Sequence, residues 1–401
     1  MFLLKSAWDN IRFHGKRSML SIALIAIASG TILLYRGFVE YSEQGMAIGF
    51  IETSGHIQIS RSQADGTRES EALLTAADLD SLKLIIAKTP HVSTYDAVLR
   101  IQGIIGAGEY SSIFWGAGYD APQKFGATSG TPVFAGERGL VVGKGLFEAL
   151  KLDSAQQNSV TLMSSVGRNG IRAGSFDVTG YLDTGMPQND AGFVAASRSA
   201  LIDLFELEDS ASYIRLFLQK DSDMPAVQAY LDRSFAEHGA RFQTKNWKTL
   251  NPSWEQVSSL FHMQFTVISG ILCVLIFVAL TQSLSASFME RIGEFGTMEA
   301  IGLKKSSLIG MLVLEICLLS LAGIIGGILL AQSGAGLTEI LDITMTPPGY
   351  SKGYRLNFYI SAAEILRTQC FIFLTTVVSG LYPIYTIRKY GAVQLIHFIR
   401  W

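Results

Sequence analysis

Charge is scarce in this chain. Asp, Glu, Lys and Arg make up 16% of its 401 residues, against 49% hydrophobic residues, whereas a globular domain in water carries about a quarter charged residues. Part of the surface is therefore not built to face water. Lys and Arg number 32 and Asp and Glu 34, a net charge of −2 that excludes a strongly basic nucleic-acid binder. There are three cysteines, Cys273, Cys317 and Cys370, each inside an apolar run with no CxxC spacing and no histidine beside it. That leaves neither a disulfide framework nor a zinc site, and reads them as packing residues. Nine prolines and 39 glycines, spread along the chain, leave no long disordered tract. No nucleophile, base and orienter set can be told from surface charge, so no catalytic, cofactor or metal residues are assigned. A phosphate loop is missing too. The nearest likeness, Gly139-Leu-Val-Val-Gly143-Lys144-Gly145, has the wrong spacing and lacks the hydroxyl residue.

Long apolar runs, by contrast, are present. A hydrocarbon core about 30 Å thick needs about 20 apolar residues in a helix. Four stretches qualify: Ser18 to Tyr35, His262 to Met289, Ser306 to Leu337 with one acid, Glu315, and Thr368 to Ile387. The first could be a signal peptide from its Ala26-Ile27-Ala28, but the run continues through Leu34 and reads as an anchor. The residues before it carry Lys5, Arg12, Lys16 and Arg17 against Asp9, and the tail carries Arg388, Lys389 and Arg400. Basic flanks belong in the cytoplasm, so both termini are expected inside. Residues 45–258 hold 18 basic and 24 acidic residues, which suits the far side.

The expected fold class is an α-helical membrane protein with four transmembrane helices and a large α+β extracytoplasmic domain inserted between the first and second. Spans are expected at 18–44, 259–287, 306–332 and 366–387, the external domain at 45–258, an outer loop at 333–365 and a cytoplasmic tail at 388–401. In the domain, His56 to Ser60 and Tyr213 to Leu218 alternate like strands, while Glu71 to Lys88, Ser197 to Phe205 and Met224 to Glu237 have helical spacing. Glycine-rich turns are expected at Gly103 to Gly108 and Gly116 to Gly130, and a rigid turn at Pro347-Pro348.

The segment joining the second and third spans, 288–305, is periodic. On a helix from Glu290 to Ile301, Arg291, Phe295 and Met298 share a side, while Gly293, Gly296 and Gly302 each weaken the helix by about 1 kcal/mol against alanine. Two readings stand: a helix that docks onto a partner, or an interfacial loop with none. The stretch RIGEFGTMEAIGLKKSSLIGMLVLEICLLSLAGIIGGILLA then resembles the signature of the FtsX-like permease domain, through Arg291, Glu294, Gly296, Met298, Ala300, Gly302, Glu315, Gly323, Gly326 and Gly327. Ser379-Gly380-Leu381-Tyr382-Pro383 and the tail KYGAVQLIHF are similar to that family's closing segments. Residues 1–17 resemble its amphipathic helix leading into the first span. Val141 to Leu152 resembles a piece shared with MacB-like exporters. The external stretch Phe176 to Leu207, through Gly185, Asp190 and Leu201, is similar to lipoprotein-releasing, Lol-type permeases.

The resemblance implies a permease subunit of a mechanotransmission ABC transporter in a bacterial inner membrane. It implies a cytoplasmic ATPase dimer that holds ATP and Mg, a second permease subunit in a homo- or heterodimer, lipoprotein or lipid cargo, and room for a periplasmic carrier. It implies no nucleic acid and no catalysis by this chain. Two alternatives remain: MacB-like export of small hydrophobic molecules or peptides, and FtsX-like signalling to a periplasmic hydrolase. Carried over by position, 288–305 is the coupling helix, with Glu290, Glu294, Phe295, Met298, Glu299, Ile301 and Gly302 as contact candidates. Phe295 and Met298 would enter an apolar cleft and the carboxylates would meet basic rims. Glu315 is read as a structural bond between helices ahead of an ion-carrying group. Gly323, Gly326 and Gly327 are read as close-packing positions, against the chain's own spans or a partner's. Phe38, Met46, Phe50, Phe261, Met263 and Phe265 form a candidate acyl-chain mouth, with ordinary packing as the competing account.

Overall fold

The structure, a computed structural model, describes residues 12–13, 15–62, 73–120, 128–130, 138–153, 158–167, 169–237, 239, 241–346 and 351–389. Most of the leading helix, the turn at Pro347-Pro348 and the tail after residue 389 lie outside the described residues.

Helix α1 (Gly15–Ser54) is followed by β1 (Ile57–Arg61), α2 (Ala76–Lys88), β2 (Val92–Ala107), β3 (Tyr110–Tyr119) and β4 (Thr128–Gly130). Then come β5 (Gly139–Gly143), α3 (Lys144–Ala149), β6 (Asn158–Ser165), β7 (Ile171–Leu182), α4 (Pro187–Asp190), β8 (Phe193–Ser197) and α5 (Arg198–Phe205). After β9 (Tyr213–Leu218), α6 (Met224–Glu237), β10 (Phe242–Asn246) and α7 (Trp247–Leu250), the chain returns to long helices: α8 (Pro252–Ala300), α9 (Lys305–Ile340), α10 (Ala362–Ser379) and α11 (Leu381–Lys389). Two compact units result, one from residues 1–44, 257–344 and 355–401, the other from 45–256 and 345–354.

In the helical unit, α8, α9, α10 and the Ser18–Ser54 part of α1 are each long and apolar enough to cross a membrane. The first three expected spans are the apolar parts of longer helices: α1 continues to Ser54 and α9 to Ile340, so 333–340 is helix where a loop was expected. The fourth expected span, 366–387, is two helices. Pro383 has no N–H to return to the Ser379 carbonyl, and the helical run is interrupted at Gly380. α9 packs on α1 through glycine. A Cβ at Gly323 would stand 2.5 Å from Ile25 Cβ, and one at Gly327 would collide with the Ser29 side chain. Small residues here let two backbones approach closely. Ser29 adds a buried hydroxyl hydrogen bond to Gln369 Oε1 at 2.8 Å.

The other unit is built on a mixed sheet in the order β10-β1-β9-β2-β3-β8-β5-β7-β4, with β6 pairing β2 and β7. β3 with β8 and β5 with β7 are parallel. Of the glycine-rich stretches expected as turns, residues 121–127 lie outside the described residues, while 103–107 lie in β2, 116–119 in β3 and 128–130 in β4. Alternation overrides glycine there: Ile101, Ile105 and Phe114 are buried, whereas Ile104 and Ile113 point outward. A side chain at Gly116 would collide with the Val194 carbonyl of the adjoining strand. α2 begins at Ala76, later than the expected Glu71, because Thr75 and Asp78 form a capping box that satisfies the first-turn donors.

Arg215, fully buried on β9, donates to Asp96 Oδ2 at 2.7 Å and to the carbonyls of Glu52 and Thr53 at 3.3 and 3.2 Å. A cation on the last carbonyls of α1 meets the negative end of the helix dipole. Nearby, His56 Nδ1 accepts the Leu218 N–H at 3.1 Å. Burial holds this imidazole below its ordinary pKa, against the opposing pull of Asp221. The unfolded chain therefore takes up the proton first, so stability carried by neutral His56 is present above about pH 6.5 and is lost as pH falls below it. The thermal midpoint of the chain in detergent is expected to drop between about pH 7.5 and about pH 5.5, and to drop less in His56→Gln. Equal drops in both proteins would show that another group carries the transition.

Candidate functional site

The end of the α8–α9 hairpin is where the sequence signature converges. No separate coupling helix follows the second span; α8 runs unbroken through Ala300. Its stop is a Schellman arrangement: Leu303 N–H donates to the Met298 carbonyl and Gly302 N–H to the Glu299 carbonyl, both at 3.0 Å. Gly302 sits at φ +105, backbone that glycine alone adopts without strain. α9 starts three residues later.

Below this turn lies a small core. Phe288, Ile292, Phe295, Leu308, Met311 and Leu312 are buried together, with Met298, Leu303 and Ile309 packed on them. Phe288 and Phe295, two turns apart, stack at 5.6 Å between centroids. Arg291 lies over Phe295 at 5.0 Å and donates from Nη1 to both oxygens of Glu315, at 3.2 and 3.1 Å. Both residues are buried. Arg291 Nε stands 3.7 Å from Glu294, and no hydrogen bond forms at Nε or Nη2. The pairing has a sequence signal that was missed: Arg291 lies twelve residues before Leu303 and Glu315 twelve after, so a tight turn sets them at one level.

The expected contact residues divide. Phe295 is 0% exposed and cannot enter a partner's cleft, which corrects its assignment. It faces α9 because it shares a helix side with Phe288 and Ile292. Met298 is half-buried on the same core, and Glu299 is half-buried with an oxygen 3.7 Å from Lys305 Nζ across the turn. Glu290, Glu294 and Gly302 are exposed, and Ile301 is 87% exposed. Thr297 and Lys304, which sequence reasoning did not single out, are exposed there too. The exposed end of the hairpin thus carries Ile301 with Lys304 close by and Glu294 and Glu290 further back along α8, over the buried aromatic core.

The candidate mouth also divides. Phe38 meets Phe261 edge-on at 6.4 Å, Tyr35 stacks on Phe265 at 5.8 Å, and Arg36 lies over Phe265 at 5.4 Å. Met263 is exposed. Glu43 accepts the Ser258 hydroxyl at 2.7 Å and stands 3.2 Å from His262 Nε2. Phe50, however, packs with Trp247 and Trp254 in the sheet unit's core, and Met46 lies half-buried in that same unit. Phe50 is therefore half-buried against that core, beside the two indoles. Glu315, Gly323 and Gly327 face the chain's own helices, and a Cβ at Gly326 would stand 3.1 Å from Ala26 Cβ. Gly139–Gly143, the phosphate-loop likeness, is strand β5, buried throughout, with Lys144 donating to Asp183 at 3.2 Å. Gly185, Asp190 and Leu201 build the domain: Gly185 has φ +77, Asp190 accepts the Thr184 N–H and hydroxyl, and Leu201 is in the core.

Residues 266–392 match the family model described as FtsX-like permease C-terminal. An uncharacterised ABC transporter permease of Methanocaldococcus jannaschii is 22% identical over 229 residues, 56% of this chain and 55% of its own length. The chain thus spans about half the length of that curated relative. Among solved structures, the extracellular domain of the noncanonic ABC-type transporter YknZ from Gram-positive bacteria is similar at TM-score 0.33 and 15% identity, covering 47% of this chain and 99% of that one. The periplasmic region of MacB from Actinobacillus actinomycetemcomitans is similar at TM-score 0.34 and 11% identity, covering 51% and 94%.

Proposed function

We propose, from the FtsX-like permease domain over residues 266–392, that this chain is the membrane subunit of an ABC transporter and that the α8–α9 hairpin end is its seat in a cytoplasmic ATPase. The observation that carries the reading is Ile301, 87% exposed at the turn over a buried core, with Glu294 and Glu290 exposed roughly 10 and 16 Å back along the same helix. An aliphatic knob at the turn with exposed carboxylates further back along the helix suits an apolar cleft with a basic flank. ATP and Mg would be held by the partner. α8 has 49 residues without a break, roughly 70 Å at 1.5 Å each, so displacement at its Ala300 end is carried along a single rod. In this reading both termini and the hairpin end lie in the cytoplasm and the sheet unit lies outside, in a dimer with a second permease.

The cargo proposed is lipidated, a lipoprotein or a related amphiphile taken from the outer leaflet of the bacterial inner membrane. Its support is the likeness of Phe176 to Leu207 to Lol-type permeases, within which Gly185, Asp190 and Leu201 shape the domain. Purification from native membranes tests the whole. An ATPase together with a second permease and released lipoprotein supports the reading. An ATPase with a cell-wall hydrolase favours signalling, one with a periplasmic funnel protein favours export, and no ATPase in any preparation removes the proposal.

A further inference from the structure

A cavity of about 590 Å³ lies within the helical unit, remote along α9 from the hairpin end. It is walled by α1, α9 and the extended segment 357–360 leading into α10. That segment is fastened to α1 by a hydrogen bond from Tyr359 N–H to the Gly37 carbonyl at 3.1 Å. The volume falls in the range of small-molecule sites, about 300 to 1,000 Å³.

Its lining is graded along the helices. Leu33, Ile328 and Ala331 line one end, and Tyr41, Asn357 and Glu339 the other. From Ile328 to Glu339 is eleven residues, about 16 Å along α9. That is about half of a 30 Å hydrocarbon core, the depth of one leaflet. The graded half of α9 is also the half remote from Lys304 and Lys305, the flank that basic residues assign to the inner side. Glu339 is the one charged group in the lining. A chain-shaped ligand lying with its tail at Ile328 would therefore bring its head to a carboxylate.

We propose that this cavity holds one acyl chain of an outer-leaflet phospholipid whose head carries an ammonium group, with Glu339 facing the head. The apolar end packs against the methylenes of the chain, and the acid selects a cationic or zwitterionic head over an anionic one. The assignment rests on the membrane-spanning reading of α9 proposed above, and its test uses no ATPase. Loss of lipid binding would leave the coupling reading standing, and loss of coupling would leave the lipid site standing.

The test is native mass spectrometry of the purified full chain in detergent, titrated with phosphatidylethanolamine or phosphatidylglycerol of matched acyl chains. One phosphatidylethanolamine per chain is expected, bound about tenfold or more tighter than phosphatidylglycerol. Ala335→Phe, which fills the wall between the two ends, is expected to weaken it by about tenfold or more, while Leu329→Phe, at a 58% exposed position outside the lining, leaves it unchanged. Glu339→Lys is expected to reverse the head preference. Wild-type binding by a folded Ala335→Phe overturns the site. A head preference that Glu339→Lys does not alter overturns it as well, and can be read even if the filled variant does not fold.

Discussion

Arg291→Met is expected to lower the thermal midpoint of the chain in detergent by about 10 °C, the consequence of losing about 3–5 kcal/mol. The cause is the carboxylate left behind. Glu315 is 8% exposed and receives Nη1 of Arg291 on both oxygens, so removing the guanidinium strands a buried charge among Phe295, Met311 and Leu312. The mirror variant, Glu315→Leu, strands Arg291, two of whose nitrogens already lack hydrogen bonds. The double variant Arg291→Met with Glu315→Leu removes both charges at once and is expected to recover most of the loss, because two apolar side chains replace an ion pair that gains little over its desolvation cost. A single variant melting within about 2 °C of the parent would show that the pair is not what holds the hairpin together.

Ile301→Glu is expected to abolish stimulation of the proposed partner ATPase and to weaken assembly with it by about thirtyfold or more, the effect of losing a central interface residue. Ile301 is 87% exposed and belongs to no core, so the midpoint of the chain itself should stay put. Glu294→Arg is expected to lose stimulation as well, since its carboxylate is over half exposed and would meet the basic rim with the wrong sign. Phe295→Ala provides the contrast. It empties a fully buried ring site and is expected to cost about 3–5 kcal/mol of stability, with coupling failing only as the hairpin loosens. Full stimulation by a complex carrying both Ile301→Glu and Glu294→Arg would remove the hairpin end from the interface.

These contrasts mark where sequence reasoning stopped. The run RIGEF already pointed to a helix with Arg291 and Phe295 on a shared side, and the glycines at 323, 326 and 327 already pointed to close packing. Which way the shared side turns was open. An amphipathic stripe states that some face is buried and leaves unsaid by what, so Phe295 could be read as a knob for a partner until Phe288, Leu308 and Met311 were seen around it. Phe50 failed in the same way. Its position after an apolar run suggested a membrane mouth, yet Trp247 and Trp254, about two hundred residues further along, enclose it.

The sequence by itself determined the amount and order of structure: four long apolar stretches and a large inserted domain of strands and helices. These follow from hydropathy and period, both of which act over a few neighbouring residues. Tertiary structure alone decided that Arg291 answers Glu315, that Arg215 closes the end of α1, and that Ile301 is left bare. Such outcomes depend on which distant side chains arrive at the same depth, and burial of a charge is tolerable only where a partner happens to stand.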